Sequence, residues 1–452
     1  MQRSRNGRKN GSRAPASAAQ GAGVRNPRAR QRALVIGAIP ELPRDGEDPL
    51  AELKELLRTA GVATAGEMVQ VRAEPDPNRY FGRGKLAELK AEAKRVGANL
   101  IACDDELAPR QERNLESELD MPVIDRTAII LDIFADHAHS AEGKLQVELA
   151  QLEYNLARMR GLWTHLERLG AGRMDGGIGT RGPGESQIET DRRLARDRIT
   201  QLRRRLKRLE RGRRTMRARR EAAPIPRIAL AGYTNAGKST LLNALTGAEV
   251  GVGSRLFHTL DPTTRAYEYE GRRYLVTDTV GFIRKLPHQL VEAFKATLEE
   301  TRLADLILHV VDASEPEERR AGTIAAVDQV LEEIDAGDVP RVIVFNKLDL
   351  LDEDERRQLL VGRRDVVGIS AATGEGLDEL RARIAREFER MLEPMDLLIP
   401  YDEGSRLAEL HELAGDLERE ERPEGVLVHA RVPAVLVHRF SEFAVNGADG
   451  RG

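Results

Sequence analysis

The sequence predicts an α/β protein whose central part is a doubly wound parallel sheet, and three observations support this. From Arg227 to about Met391, apolar runs that end in polar loops alternate with amphipathic stretches, as expected of strands and helices in turn. A glycine-rich loop joins one apolar run, Ile228–Ala231, to an amphipathic one. A shorter alternation of the same kind precedes two long heptad patterns, which indicates a smaller α/β domain carrying a pair of helices.

Composition shifts divide the 452-residue chain into five parts. Prolines mark both borders of the central domain, with Pro224 and Pro226 before it and Pro394 and Pro400 after it. The expected parts are a disordered basic tail at 1–32, a small N-terminal α/β domain at 33–137, a long antiparallel helical hairpin at 138–223, the central domain at 224–392 and a small C-terminal α+β domain at 393–452.

The N-terminal tail is rich in arginine and has no acidic residue, so it lacks the apolar side chains of a core. It is either a nucleic-acid contact or a solvated extension, and its composition fits both. After it, short apolar runs alternate with amphipathic stretches, which predicts a small parallel sheet flanked by helices. The expected strands are Ala33–Ile39, Glu67–Ala73, Asn99–Cys103 and Pro122–Ile124, and the expected helices are Leu50–Ala60, Lys85–Val96 and Pro109–Leu119.

Two loops of this domain have some features of a ligand site. The turn Tyr80–Lys85 (YFGRGK) leads into a helix and could bind phosphate, but it lacks the full spacing of a phosphate loop, so a helix-initiating turn is the simpler explanation. A second nucleotide site therefore stays open. Asp104, Asp105 and Glu106 follow a strand, at a place where acidic residues are usually just solvated.

Two heptad patterns around a glycine-rich gap predict the helical hairpin. Its seam residues are Leu145, Leu149, Leu152, Leu156, Met159, Trp163 and Leu166, then Ala195, Ile199, Leu202, Leu206, Leu209 and Met216. The gap at 169–187 combines glycines with arginines, which suits a tip that reaches into RNA, with a flexible linker as the alternative. The candidate RNA contacts are Arg173, Gly177, Gly179, Arg181, Gly182 and Gly184.

Charge and cysteine content set further bounds. The formal net charge is −3, yet basic residues are concentrated in the tail and between Arg192 and Arg220, which indicates a polyanionic partner rather than a membrane. The single cysteine, Cys103, excludes an internal disulfide and suits a reducing compartment. Because no apolar run approaches the length of a membrane span and the N-terminus lacks the apolar core of a signal peptide, we expect a soluble cytoplasmic protein.

The loop Gly232–Ser239 (GYTNAGKS) has the G-x-x-x-x-G-K-S spacing of a phosphate-binding loop. Its glycines let successive N–H groups and a helix N-terminus face a phosphate. Lys238 would place a positive charge between the β- and γ-phosphates, and the Ser239 hydroxyl is a ligand for Mg²⁺. The expected nucleotide contacts here are Gly232, Tyr233, Thr234, Asn235, Ala236, Gly237, Lys238, Ser239 and Thr240.

Three further motifs follow in order, each at the end of an apolar run. Asp278, in DTVG, can hold a water of Mg²⁺, and the N–H of Gly281 can meet the γ-phosphate. The carboxylate of Asp349, in NKLD, can accept both the N1–H and the N2–H₂ of guanine, which adenine cannot supply together. The SAA motif at 370–372 would support the base with a main-chain N–H. The expected nucleotide contacts here are Asp278, Thr279, Val280, Gly281, Asn346, Lys347, Asp349, Ser370, Ala371 and Ala372.

The last segment predicts a small α+β domain with little site chemistry. Its expected elements are the strand Leu397–Ile399, the helix Ser405–Leu417, the strand Gly425–Val432 and the helix Ala434–Phe443. His429 and His438 are too isolated to suggest a metal site, so we expect partly buried structural histidines.

From about Ala33 to Phe443 the chain resembles the HflX family of translational GTPases, in the Obg–HflX branch. The most specific segments are Gly177–Arg193 (GIGTRGPGESQIETDRR) and Gly143–Ala150 (GKLQVELA). Leu260–Thr264 (LDPTT) and Asp278–Ile283 (DTVGFI) are similar to the switch segments of that family.

This resemblance implies a Mg²⁺-dependent GTPase that converts GTP to GDP and phosphate, and we expect it to be a monomer. It implies that the N-terminal domain and its hairpin bind the large (50S) ribosomal subunit and its rRNA near the peptidyl-transferase centre, with ribosome splitting or rescue of stalled ribosomes as the output. The alternative is a GTP-gated binding module for a non-ribosomal RNA or protein, with hydrolysis incidental. The basic, glycine-rich tip favours the ribosomal function.

By the same resemblance, Thr263 is the switch threonine that closes on Mg²⁺ and the γ-phosphate, with Ser239 as a ligand and Asp278 acting through water. Phe282 stands where many GTPases carry the glutamine that orients water, so we expect slow intrinsic hydrolysis. Asn235 either holds a potassium ion, which supplies the charge of an arginine finger, or hydrogen-bonds its own loop. The expected catalytic groups are Lys238, Thr263, Gly281 and Asn235.

Overall fold

The computed structural model describes residues 31–41, 48–159, 183–220, 225–248, 256–257, 259–285, 298–363, 365–414, 417–433 and 437–445. Two mainly parallel sheets flanked by helices and one small antiparallel sheet organise these residues, which confirms the predicted fold class. The tail at 1–30 lies outside the described residues. So do five of the candidate RNA contacts, namely Arg173, Gly177, Gly179, Arg181 and Gly182.

The N-terminal domain is built on four parallel strands. Its strands are β1 (Arg32–Ile39), β2 (Ala63–Val71), β3 (Leu100–Cys103) and β4 (Val123–Asp125), and its helices are α1 (Ala51–Thr59), α2 (Arg83–Val96), α3 (Pro109–Leu119) and α4 (Arg126–His137). The strand order is β2-β1-β3-β4. Because side chains alternate along β1, Ala33 and Val35 belong to one apolar cluster and Leu34 and Ile36 to another, on the opposite face.

Helix α4 is absent from the elements expected from the sequence. It follows β4 without a loop, because Asp125 both ends the strand and caps the helix, its carboxylate accepting from the N–H of Ala128 at 2.8 Å. The helix is also apolar on most of its surface, so no polar stripe shows its period. It buries Ile129, Ile130 and Phe134 against the sheet and the central domain.

Two helices, α5 (Ala141–Arg158) and α6 (Pro183–Arg220), form the described part of the hairpin. They pack through the predicted seams, where Leu149, Ile199 and Leu202 are buried in one cluster. Ion pairs from Arg198 to Glu148 and from Arg203 to Glu153 flank this seam. Helix α6 already begins at Pro183, so Gly184 lies in its first turn rather than in the tip that we expected to extend to 187.

The central domain has a six-stranded sheet in which only one edge strand is antiparallel. Its strands are β5 (Arg227–Gly232), β6 (Thr263–Tyr269), β7 (Arg272–Asp278), β8 (Leu306–Asp312), β9 (Arg341–Asn346) and β10 (Val366–Gly368), and its helices are α7 (Lys238–Thr246), α8 (Glu317–Glu333), α9 (Glu353–Leu360) and α10 (Leu377–Arg390). The order is β10-β9-β8-β5-β7-β6, with β6 antiparallel to β7. All four predicted nucleotide motifs follow the carboxyl ends of parallel strands, which is where doubly wound sheets bind ligands.

The C-terminal part is an antiparallel sheet with one strand that we did not expect. Its elements are β11 (Leu392–Ile399), α11 (Gly404–Ala414), β12 (Glu418–Arg422), β13 (Gly425–Pro433) and α12 (Val437–Phe440), with the order β11-β13-β12. Every residue of β12 (EREER) is charged and exposed, so it has no apolar alternation to reveal it. Charge of this kind protects an edge strand from pairing with other chains.

The two histidines of the C-terminal part differ from what we expected. His429 and His438 are exposed rather than partly buried, and Nδ1 of His429 lies 2.6 Å from Oδ1 of Asp396. Among the described residues, no group of acidic, histidine or cysteine side chains could hold a metal ion by itself. In the same part of the chain, no helix is long and apolar enough to cross a membrane.

One apolar cluster continues from the N-terminal domain into the central domain. The rings of Phe134 in α4 and Phe257 meet edge to face, with centroids 4.7 Å apart. Leu260, Phe282 and Ile283 belong to the same cluster. The segments expected to act as switches are therefore packed against the N-terminal domain.

Candidate functional site

The phosphate loop connects β5 to α7, and its two glycines are needed for different reasons. Gly232 has a φ of +155°, and a Cβ there would lie 2.3 Å from the carbonyl oxygen of Val310 in β8. Gly237 has a φ of +94°, and its Cβ would lie 2.2 Å from Nδ2 of Asn346. A side chain at either position would push the loop away from the sheet or from the next motif.

Lys238 begins α7 and turns its side chain back into the loop. Its Nζ donates to the carbonyl oxygens of Gly232, at 3.0 Å, and Tyr233, at 2.9 Å. Burial lowers the pKa of Lys238 to about 8, and the negative charge of Asp278 acts against that shift. The ammonium group is thereby held at the position from which the expected phosphate contact would be made.

Three oxygen-bearing side chains meet beside this loop. Oγ of Ser239 donates to Oδ2 of Asp278 at 2.5 Å and lies 2.9 Å from Oγ1 of Thr259. Asp278 ends β7 and is fully buried, and its Oδ1 has no hydrogen-bond partner among the residues that the structure describes. Burial raises the pKa of Asp278, against the opposing charge of Lys238. An unpaired, buried carboxylate oxygen beside two hydroxyls is a donor set that fits Mg²⁺.

The threonine at this place is not the one that we expected. Thr263 begins β6 and pairs with Asp278 across the antiparallel ladder. Thr259, which precedes the strand, supplies the hydroxyl next to Ser239. The geometry therefore favours Thr259 over Thr263 as the hydroxyl ligand. The alternation of the TTRAYEY segment could have placed Thr263 in a strand, and that was the signal we missed.

The segment after β7 is hydrogen-bonded to the phosphate loop. The N–H of Phe282 donates to the carbonyl of Gly232 at 3.1 Å, and its carbonyl accepts from the N–H of Thr234 at 2.8 Å. A Cβ on Gly281 would lie 2.8 Å from Cγ2 of Thr234 and 3.1 Å from Nζ of Lys238, so this approach needs glycine. The ring of Phe282 is buried in the apolar core, where it cannot orient a water as a glutamine would.

Asn346 connects two parts of the site. Its Nδ2 donates to the carbonyl of Ala236 in the phosphate loop at 2.8 Å, and its Oδ1 accepts from the N–H of Ala371 at 2.9 Å. The side chain is buried, and both of its polar atoms are used in these bonds. In this structure Asn346 braces the two loops, and its expected contact with the nucleotide stays a prediction.

The carboxylate of Asp349 is oriented by a neighbouring loop. Oγ of Ser370 donates to Oδ1 of Asp349 at 2.6 Å. Lys347 has a left-handed φ of +69°, and its Nζ donates to Oδ2 of Asp312 at 2.5 Å. Ala372 follows Ser370 at the surface. The bond from Ser370 orients Asp349 at the same end of the sheet as the other motifs.

Comparisons with known proteins agree with this geometry. Residues 47–135 match the family model of the GTP-binding GTPase N-terminal region, 137–220 that of the GTP-binding GTPase middle region, and 227–347 that of the 50S ribosome-binding GTPase. A "GTPase HflX" of Caldanaerobacter subterraneus is 45% identical over 93% of this chain and 95% of its own length. The chain belongs to the HflX family of GTPases. It accordingly binds and hydrolyses GTP.

A second curated relative and a solved structure were also found. The "GTPase HflX" of Escherichia coli K12 is 43% identical, with 90% of this chain and 95% of its own length covered. A solved GTP-binding protein of the archaeon Sulfolobus solfataricus, in complex with GDP, is 26% identical at a TM-score of 0.40, with 79% of this chain and 98% of its own covered.

In this HflX-family chain, Asn235 stands at an exposed point of the phosphate loop with a φ of +63°. Asparagine adopts this left-handed conformation more readily than most residues, so the backbone alone is one reason for its presence. Its two interpretations, as a potassium ligand and as a loop-bracing residue, stay predictions. Of the other expected contacts, Thr234 is buried and Thr240 lies in the first turn of α7.

Tyr233 takes part in a contact between domains that the sequence did not reveal. Its hydroxyl donates to the carboxylate of Glu52 in α1 and accepts from the N–H of Arg284 at 2.9 Å. The buried Arg126 pairs with the same Glu52, and its Nη2 donates to the carbonyl of Arg284 at 2.9 Å. Burial raises the pKa of Tyr233 and lowers that of Arg126 to about 10.

The acidic loop after β3, which we expected to be solvated, belongs to the same contact. Nη1 of Arg126 donates to Oδ1 of Asp104 at 2.9 Å. Nζ of Lys285 donates to Oδ2 of Asp104 at 3.1 Å and to Oδ1 of Asp105 at 2.5 Å. The buried Tyr80 donates to Oδ2 of Asp105 at 2.5 Å, which favours a structural turn at 80–85 over a phosphate site.

Proposed function

We propose that this GTPase binds the 50S ribosomal subunit through its helical hairpin in the cytoplasm, and that its GTP cycle drives the splitting or rescue of stalled ribosomes. The observation that carries the proposal is the basic surface of α6, in a chain whose G domain matches the 50S ribosome-binding GTPase model. A membrane surface or a small ligand would not need a helix of this length and charge.

Helix α6 is 38 residues long, which corresponds to about 57 Å at 1.5 Å per residue. Outside its seam with α5 most of its residues are charged, and arginine predominates among them. Its exposed cations in the described part are Arg193, Arg196, Arg203, Arg204, Arg205, Lys207, Arg208 and Arg211. Long, exposed rows of arginine neutralise the phosphates of nucleic acid, and such contacts position a protein without reading sequence.

GTP binding and hydrolysis at the site described above would drive this cycle. Lys238 places its charge at the phosphates, and the N–H of Gly281, held against the loop, is placed to meet the γ-phosphate. Ser239 and Thr259, together with Asp278 through water, would hold Mg²⁺. That ion, when bound, neutralises charge on the β- and γ-phosphates. Because Phe282 is buried, no side chain at its position orients the attacking water, and rapid turnover depends on the ribosome or on a monovalent ion.

Co-sedimentation with 50S subunits in the presence of a non-hydrolysable GTP analogue tests the proposal. The triple variant Arg204→Glu/Arg205→Glu/Arg208→Glu should lose binding and keep its affinity for GTP. The matched charge reversals Arg357→Glu, Arg386→Glu and Arg390→Glu, on α9 and α10, should leave binding intact.

Deletion of Gly176–Gly184 should abolish hydrolysis stimulated by the ribosome while basal nucleotide affinity is kept. Absence of the unmodified protein from the 50S fraction with the analogue would favour the alternative, a GTP-gated module for another partner. Full stimulation of the deletion variant would return the glycine-rich segment to the role of a linker.

A further inference from the structure

The carboxylate of Asp261, in the LDPTT segment, is bound to the two residues that lead into the hairpin helix α5. Its Oδ2 accepts from the main-chain N–H groups of Ser140, at 2.7 Å, and His139, at 3.1 Å. Its Oδ1 accepts from the hydroxyl of Ser140. Ser140 is itself the N-cap of α5, since its Oγ accepts from the N–H of Gly143 at 2.8 Å. A negative charge at this end of a helix is favoured by the exposed N–H groups and by the helix dipole.

Gly143 is explained by the same contact. A Cβ on Gly143 would lie 2.6 Å from Oδ1 of Asp261 and 3.0 Å from Oγ of Ser140. Glycine destabilises a helix relative to alanine, so its presence in the first turn of α5 needs a reason. The approach of the Asp261 carboxylate is that reason. It also brings together two segments that resemble the HflX family, the one that begins at Gly143 and the expected switch segment that contains Asp261.

The segment 259–261 also reaches the candidate Mg²⁺ site, at its other end. Thr259 is two residues before Asp261, and its hydroxyl is 2.9 Å from Oγ of Ser239. Two residues of extended chain span only about 7 Å. The places of Thr259 and Asp261 are therefore not independent: when the carboxylate is held by α5, the threonine is kept near Ser239 and Asp278.

Helix α5 is a firm support for this contact because its far end is also fixed. Nη2 of Arg158 donates to Oδ2 of the buried Asp125 at 2.7 Å and to the carbonyl of Leu107 at 2.9 Å. Nε of Arg158 donates to Oε2 of Glu112 at 2.6 Å. Helix α5 of the hairpin is thus bound to the N-terminal domain at its C-terminal end and to the segment 259–261 at its N-terminal end.

We propose that Asp261 is a positioning residue for GTP hydrolysis: held by the N-terminus of α5, it places Thr259 at the Mg²⁺ and γ-phosphate site and so couples the hairpin to the GTP-bound state. The inference rests on the proposed function in giving Thr259 that role. Since coupling between two sites is reciprocal, GTP that orders Thr259 also strengthens the bond to α5, and displacement of α5 weakens the hold on GTP but not on GDP.

The ratio of affinities for a non-hydrolysable GTP analogue and for GDP measures this coupling. Asp261→Ala should lower affinity for the analogue about tenfold, within the usual range of coupling free energies, and leave GDP affinity unchanged. Ser140→Ala, which keeps both main-chain donors, should have a smaller effect in the same direction. The control Asp354→Ala removes an exposed carboxylate on α9 and should change neither affinity.

Gly143→Ala provides a second test that does not alter the carboxylate. As a single substitution, the Cβ of the new alanine should displace Asp261 and reproduce the loss of affinity for the GTP analogue. In the Asp261→Ala background the same change should have no effect on nucleotide affinity, because the carboxylate that the Cβ would displace is absent. Gly212→Ala, on α6, is the matched control, since a Cβ there meets no atom within 4 Å. Additive effects of Gly143→Ala and Asp261→Ala would overturn the inference.

Hydrogen–deuterium exchange gives a readout independent of activity. The GTP analogue should slow exchange of the Ser140 and Gly143 amides in the unmodified protein and not in Asp261→Ala. Thr259→Ala distinguishes the positioning role of Asp261 from the role proposed for Thr259 at the Mg²⁺ site. If Thr259→Ala lowers analogue affinity and Asp261→Ala does not, the inference fails and the proposed site stands. If neither variant changes it, the role proposed for Thr259 fails as well.

Discussion

Tyr233 in the phosphate loop and Glu52 in helix α1 share a hydrogen bond, so the nucleotide loop is bound directly to the N-terminal domain. The same hydroxyl accepts from the N–H of Arg284 at 2.9 Å, just beyond the DTVGFI segment. One phenol therefore connects the phosphate loop, the segment after β7 and the N-terminal domain.

Tyr233→Phe removes only that hydroxyl and tests the connection. We expect the free energy of unfolding to fall by about 1–2 kcal/mol, because the partly buried carboxylate of Glu52 loses a donor, and we expect the Arg284 amide to exchange faster. Urea denaturation and hydrogen exchange measure these two effects. Tyr267→Phe is the matched control, because the buried Tyr267 hydroxyl has no hydrogen-bond partner in the described part of the chain and its removal should not destabilise the protein. Unchanged exchange at Arg284 would contradict the prediction.

Arg126 is the cation on which the same contact depends. It is 2% exposed and pairs with Glu52 and Asp104. Arg126→Met leaves both carboxylates without this partner in a buried place, which should cost about 3–5 kcal/mol of stability. The double variant Arg126→Met/Glu52→Gln should recover part of the loss, since it also removes one of the stranded charges. Strict additivity in urea denaturation would show that the two groups act independently.

His309 should make stability depend on pH. The ring is 2% exposed in β8, and burial, with a smaller effect from the charges of Arg341 and Lys238, lowers the pKa of His309 to about 4. Asp328 lies 3.8 Å from its Nδ1 and does not reverse this shift. Below about pH 6.5 the imidazole of His309 is protonated in the unfolded chain but stays neutral in the folded one. The free energy of unfolding therefore falls between about pH 6.5 and 4, by at most about 3 kcal/mol.

Urea denaturation of the unmodified protein and of His309→Gln at several pH values checks this. Other groups, Asp278 among them, titrate in both proteins, so the difference between the two curves isolates His309. The exposed His438→Gln is the control and should follow the unmodified protein. If His309→Gln retains the full loss of stability between pH 6.5 and 4.5, the histidine is not the cause.

Base selection should depend on Asp349. Asp349→Asn loses the acceptor for the two guanine N–H groups, so GTP affinity should fall by about 10²-fold or more while xanthine nucleotides gain. Ser370→Ala should cause a smaller loss, because the 2.6 Å hydrogen bond that orients the carboxylate is removed. Competition of GTP, ATP and XTP for a fluorescent nucleotide measures the preferences. Equal affinity of the unmodified protein for GTP and ATP would refute the assignment.

The sequence was sufficient where chemistry is local. The loop from Gly232 to Ser239 and the strand ends at Asp278 and Asn346 could be placed because glycine spacing and apolar periodicity act over a few residues. Helix α4 and strand β12 were missed for opposite reasons: the first is apolar on most of its surface and the second is wholly charged, so neither has a period to read.

The contacts between distant segments could not be predicted. Tyr233 and Glu52 are separated by 181 positions, and Ser140 and Asp261 by 121. A single polar pair so far apart along the chain leaves no pattern in one sequence, because many acidic residues and hydroxyls could be its partners. The bracing of two loops by the buried Asn346 amide was likewise not predicted, because its motif indicates only a nucleotide contact, which stays a prediction.

Potassium dependence is the last prediction, and the structure sharpens its test. The charge that develops between the β- and γ-phosphates is met in the phosphate loop by Lys238 alone, and Phe282 contributes no polar group. A monovalent cation held partly by the side-chain oxygen of Asn235 would stand where an arginine finger acts, and one such electrostatic contribution is worth about 3 kcal/mol. We therefore expect faster GTP turnover in KCl than in NaCl at equal ionic strength.

The backbone of Asn235 decides which substitution is informative. Its φ of +63° would strain alanine, so Asn235→Ala would disturb the loop whether or not the side chain binds an ion. Asn235→Gly keeps the conformation and removes only the amide. If the side chain holds potassium, Asn235→Gly loses the difference between KCl and NaCl while GDP affinity stays unchanged. If Asn235→Gly keeps both its rate and the salt difference, the residue is there for its backbone. Equal rates of the unmodified protein in both salts, with and without ribosomes, would remove potassium from the mechanism and leave the missing charge to the ribosome.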